Sequence, residues 1–150
     1  MARFNKIYAG PVTEVTPQVQ ELPAAAATLP GLAVIMSSGK FAIAGANTTE
    51  KVFISQDNYL VGEGVDTAVA IDDIVIGMEL LDEQFFNVRV PTGVSVVKGV
   101  TKLTTNATGR FVIATTGQRI IAIPEETYNN TSGVDQLVRV RRATGHLAAA

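Results

Sequence analysis

Beyond Pro30 the chain alternates between two textures: short aliphatic and β-branched runs, and the clusters of Gly, Asn, Asp, Ser and Thr that separate them. Runs of this length and spacing belong to an all-β sandwich or barrel. The pattern predicts strands over 32–36, 40–44, 51–55, 69–71, 74–81, 85–90, 95–103, 110–115, 119–124 and 137–142. No segment carries apolar residues at helical period over three turns, and 125–134, interrupted by Asn129, Asn130 and Gly133, reads as a loop. Two hairpins are expected. In 110–123, β-rich runs flank Thr116-Gly117, where Gly can take the positive φ of a tight turn. In 86–96, Phe86, Val88 and Val90 alternate with Asn87 and Arg89, which predicts a core face and a wet face, and Pro91-Thr92-Gly93 supplies the turn.

Residues 1–30 read differently. Pro11, Pro17 and Pro23 favour extended or polyproline-like backbone, and Pro23 and Pro30 bracket Ala24 to Ala27 too closely for a stable helix. Phe4, Ile7, Tyr8, Val12, Val15, Val19 and Leu22 are too many apolar residues for a solvated linker. The expected organisation is an extended N-terminal arm over 1–30, lying across its own domain or a neighbouring molecule, a β-rich domain over 31–143, and a flexible tail over 144–150.

Composition sharpens this. Of the 150 residues 47% are hydrophobic, yet aromatics reach only 6% and Trp is absent, so Val, Ile, Leu and Ala must supply most of the core. Charged residues make up only 17%, against about a quarter in an average soluble domain, which points to apolar surface covered by a partner. A net charge of −2 supplies no basic field for nucleic acid or an anionic membrane. The most apolar stretch, 22–36, is broken by Pro23 and Pro30-Gly31, far short of the roughly 20 continuous residues that span a bilayer, and no export signal is visible, so a soluble protein is expected. With no Cys there is neither a disulfide framework nor a thiolate metal site.

Catalytic chemistry finds little support. The single imidazole, His146, lies in the Gly-Ala tail and reads as a solvated residue. Asp72-Asp73, Asp82-Glu83 and Glu125-Glu126 are adjacent pairs, which a strand points to opposite faces, and Asp72-Asp73 reads as turn chemistry. No metal-ligand spacing or phosphate-cradling glycine motif occurs, so no cofactor, metal or small-molecule substrate is expected. The sequons at Asn47, Asn106, Asn129 and Asn130 read as loop residues. Arg139 and Arg141 share one strand face, where they could grip an acidic partner or remain a balanced solvated face.

The layout of an N-terminal arm, then Leu29-Pro-Gly-Leu-Ala-Val-Ile-Met-Ser-Ser-Gly-Lys-Phe41, Val52-Phe-Ile-Ser-Gln-Asp-Asn-Tyr59, a Gly-punctuated β-body and the closing Leu137-Val-Arg-Val-Arg-Arg142 resembles the capsid decoration, or cement, proteins of long-tailed double-stranded-DNA phages. The resemblance implies a β-tulip domain with no enzymatic activity. It further implies a homotrimer, made in the host cytoplasm and bound to the outer capsid surface of the virion, that clamps neighbouring major capsid proteins. On that reading Arg3, Phe4, Ile7, Tyr8, Val12 and Val15 of the arm, with Arg139 and Arg141, are the expected capsid or inter-subunit contacts. A tail or baseplate component is the alternative within the structural class. A carbohydrate-binding β-sandwich, with Tyr59 and Tyr128 as the stacking residues, is the alternative outside it.

Overall fold

The computed structural model describes residues 2–12, 14 and 16–147, and among these it contains strands and no helix. The strands are β1 (Tyr8–Pro11), β2 (Val19–Pro23), β3 (Ala33–Ser37), β4 (Lys40–Ile43), β5 (Phe53–Ser55), β6 (Ile74–Glu79), β7 (Gln84–Val90), β8 (Ser95–Val96), β9 (Leu103–Thr105), β10 (Phe111–Ile113), β11 (Arg119–Pro124), β12 (Tyr128–Asn129) and β13 (Gln136–His146). They assemble into a six-stranded sheet in the order β1-β7-β13-β11-β9-β10, a five-stranded sheet in the order β2-β6-β5-β3-β4, and a two-stranded ribbon of β12 and β8. Every ladder is antiparallel. The chain is all-β, as its patterning predicts.

Two apolar clusters hold the sheets. The larger draws Phe86, Val88, Val138, Leu103 and Phe111 from the six-stranded sheet and Ala33, Ile54 and Met78 from the five-stranded one. The smaller gathers Val34, Phe41, Phe53 and Val75, which point the other way from the five-stranded sheet, under Ala24 and Val69. That sheet curls until its two edges meet at a single bridge, Ala24 to Phe41, without closing into a full ladder. Phe41 and Phe53 cross inside the curl with ring centres 5.4 Å apart. A Cβ at Gly77 would stand 2.5 Å from the Phe41 ring, so glycine is what lets β6 approach it.

The segment read as an arm lies across its own domain, where β1 pairs with β7 and β2 pairs with β6. Its backbone is therefore strand over these residues rather than polyproline-like. The accessible surface of 7081 Å² agrees with the roughly 7,300 Å² that size scaling gives a compact chain of this mass.

Several local expectations are corrected. Neither expected hairpin pairs its own strands: β9 intervenes between β10 and β11, and β8 turns away from β7 to pair with β12. The turns are nonetheless where glycine placed them, with φ of 83° at Gly93 and 78° at Gly117. The wet face of β7 is absent, since Asn87 and Arg89 are both buried. The strand expected over 95–103 is two strands parted by a turn at Gly99, and 69–71 supplies only a bridge from Val69 to Thr28. Within the expected loop 125–134, β12 forms. Thr144 to His146, expected to fray, extend β13 against β11 as far as the pair Arg119 and His146.

Candidate interaction surface

Asp57, almost wholly buried at the end of β5, is the anchor of the N-terminal segment. Its carboxylate accepts hydrogen bonds from the Ile7 amide at 3.1 Å and from Lys6 Nζ at 2.7 Å. Asn87 Nδ2 donates to the Lys6 carbonyl at 2.9 Å, and the Asn87 amide donates to the Ile7 carbonyl at 2.8 Å. Ile7 is thereby driven into the larger cluster with no exposed area. It serves this chain's own core and offers no side-chain surface to a neighbour. Tyr8 is half-buried with its ring 5.9 Å from Phe86, and burial pushes its hydroxyl above the ordinary 10.0.

Ahead of this anchor, Arg3 and Phe4 fold onto β13 and β12. The Arg3 guanidinium lies 3.6 Å from the centre of the Tyr128 ring and pairs with Glu126 at 3.0 Å. Arg139 stands 5.6 Å from the Phe4 ring and 5.9 Å from Phe85, and its amide donates to Glu126 Oε1 at 2.7 Å. One carboxylate thus ties two elements together, and two guanidinium groups sit against three rings, an arrangement that cation–π attraction favours. Arg3, Phe4 and Arg139 are brought together, held by their own chain. Arg141 faces elsewhere, donating to the Asp82 carbonyl at 2.8 Å and approaching its carboxylate at 3.4 Å. Val12 stays exposed beyond β1, and Val15 lies outside the described residues.

Arg89 is a buried cation that the alternation along β7 had placed in water. Nε donates to the Pro30 carbonyl at 2.7 Å and Nη2 to the Val65 carbonyl at 2.5 Å and to Asp66 at 3.1 Å. Burial alone would raise the Asp66 carboxyl; hydrogen bonds from Arg89 and the Ala2 amide, with the Arg89 charge, outweigh it and hold the carboxyl below its ordinary 3.8.

The surface that sequence reading missed lies on the loop that follows β5. Leu60, Val61 and Ile71 are each at least 60% exposed, and Leu60 and Val61 line an open hollow of about 550 Å³ with Val69, Ile74, Glu63 and Asp73. Tyr59 stands beside it, half exposed. The signal was present: Tyr59-Leu60-Val61 is an uninterrupted apolar run next to Gly62, with no alternation to bury it. Large apolar side chains this exposed, clustered on one loop, are uncommon on the surface of a monomer.

The remaining expectations resolve as turn chemistry. Asn106 Oδ1 accepts from the Thr108 and Arg110 amides, and Asn130, fully buried, spans the Val90 and Val134 carbonyls. Asp72 pairs with Lys40 at 2.5 Å rather than with nearby amides. Of the two tyrosines offered for stacking on sugars, Tyr128 has a ring face taken by Arg3.

No family model matches the chain, and no curated protein sequence does. Among solved structures the fold is similar to the head fiber gp8.5 N base of bacteriophage phi29, at 17% identity and a TM-score of 0.57, over 88% of this chain and 98% of that one. At this identity the likeness establishes a shared fold.

Proposed function

We propose that this chain is a structural protein of a phage virion, bound at the outer surface of the head as a homotrimer that braces neighbouring major capsid proteins. The observation that carries the reading is the fold shared with almost the whole of a phage head fiber base. Two features support it. The chain is poor in charge yet leaves Leu60, Val61 and Ile71 open to solvent, as a protein built to be covered by neighbours does. One member of each adjacent carboxylate pair is tied to a cation of the chain: Asp72 to Lys40, Asp82 to Arg141 and Glu126 to Arg3.

The test has two parts. The mass of the isolated protein in solution is expected to be that of a trimer. Mixed with undecorated heads, it is expected to bind and to raise the temperature at which they open. A monomer that leaves the heads unchanged refutes the proposal.

A further inference from the structure

Consecutive residues of a regular strand face opposite sides of a sheet, yet Arg142 and Ala143 of β13 line one hollow. A bulge begins just after Arg142. Between the pairs Ile120 with Gly145 and Ala122 with Arg142, β13 takes three steps where β11 takes two, and such a bulge re-aims side chains.

The hollow is about 30 Å³, and Lys51, Arg119 and Arg142 face a single carboxylate there, Glu79. Its apolar lining is the buried Val52, Leu80 and Ile121. Glu79 is paired with Lys51 at 3.0 Å. Arg119 is fixed through Nη1 alone, which donates to the Thr48 and Glu50 carbonyls at 3.1 and 3.0 Å; Nε and Nη2 take no part in those bonds. Arg142 is half-buried, and its guanidinium has no hydrogen-bond or ion-pair partner among the described residues. Asp82, which lines the adjoining hollow with Arg142, is engaged by Arg141. Two positive charges are left in excess, one of them with no protein partner for its fork of donors among the described residues.

We infer that this hollow receives the carboxylate of an acidic side chain on a partner protein. A water needs at least 10–15 Å³ of such space, so the hollow has room for a carboxylate head. Guanidinium groups match a carboxylate through paired N–H donors. Nucleic acid fits poorly, since the chain carries a net charge of −2 and no aromatic ring lines the hollow. Of the basic pair first suggested by the sequence, Arg141 is committed to Asp82 and Arg139 stacks against the Phe4 and Phe85 rings with its Nε buried and unbonded, whereas their neighbour Arg142 has no partner among the described residues. The inference deepens the proposed role and rests on it for the partner's identity.

The test uses the full chain, isotope-labelled so that the arginine Nε–H signals are resolved by NMR. It is titrated with an acetylated tetraglutamate peptide, with a tetralysine peptide and with inorganic phosphate. The glutamate peptide is expected to shift the Arg142 and Arg119 signals saturably, and the lysine peptide to leave them still. Arg142→Gln is expected to weaken that binding about tenfold, the scale of one lost charge-assisted hydrogen bond, while Lys98→Gln, at an exposed position outside the hollow, leaves it unchanged. Arg142→Lys, which keeps the charge and loses the fork, serves if the Gln variant does not fold, and is expected to bind more weakly than the parent. Absence of a saturable shift, binding indifferent to both Arg142 variants, or a response to phosphate alone, an adventitious ion only, overturns the inference. A chain that binds the peptide but ignores phage heads refutes the proposed role and keeps the site; the converse removes the site and keeps the role.

Discussion

Arg89 carries a charge into a place where water cannot reach it, and three acceptors make that tolerable. Two are backbone carbonyls, at Pro30 and Val65, on the segments that flank β7. Replacing Arg89 with Met strands both carbonyls, and a loss of about 3 kcal/mol is expected, read as a lower urea midpoint at unchanged slope. Asp66→Asn should cost far less, because its carboxyl is mostly solvated. The same pair sets an acid limit. The folded Asp66 pKa is depressed, so its contribution is present above 3.8 and is lost as pH falls through the lower folded value. Urea midpoints measured on either side of that window should converge for Asp66→Asn and the parent at the acid end. Gly77 acts through space alone. Gly77→Ala forces the Phe41 ring aside, and a loss of about 1–3 kcal/mol is expected, part of it recovered in the double variant with Phe41→Leu.

At the level of elements, the N-terminal segment is the piece whose role the structure changes most. A proline-punctuated arm with scattered apolar residues invites the view that it can be removed without harm to the body. Once Ile7 is fully buried and β1 is laddered to β7, that view fails. Ile7→Ala is expected to cost about 2–4 kcal/mol in thermal or urea unfolding. Asp57→Ala should loosen the segment selectively, raising amide hydrogen exchange at Ile7 and Asn87 before the rest of the six-stranded sheet opens. β7 itself shows how alternation can be correct and its meaning still mistaken. Phe86, Val88 and Val90 do share a face, as spacing required, but the opposite face is covered too, by the chain around Gly31 and Val65.

For the whole molecule, the decisive quantity is how much apolar surface is left open. Leu60 and Val61 line a hollow on one side and Ile71 is open to solvent, while the core is already closed by two clusters, so their exposure does not reflect an incomplete fold. If this side meets a second copy, Leu60→Asp with Val61→Asp should lower the mass in solution to that of one chain while the far-ultraviolet circular dichroism stays that of a β protein. An unchanged mass would move the subunit contact elsewhere.

The sequence by itself determined the class and the turns. β-Branched runs cut by Gly and Asn make strands because neither helical period nor helical length is available, and the glycines at 93 and 117 take the positive φ their turns need. It also held the loop signal at Tyr59-Leu60-Val61 and the basic character of the last strand. What it could not contain was pairing. β9 enters between β10 and β11 and β8 leaves β7 for β12, because strand partners are chosen by burial across distant segments and not by proximity along the chain. For the same reason only the tertiary structure decided which arginines are spent. Arg89 and Arg141 find partners contributed by remote parts of the fold and Arg139 stacks on rings brought from elsewhere, whereas Arg142, one residue along, lines a hollow that holds too few carboxylates to pair with it.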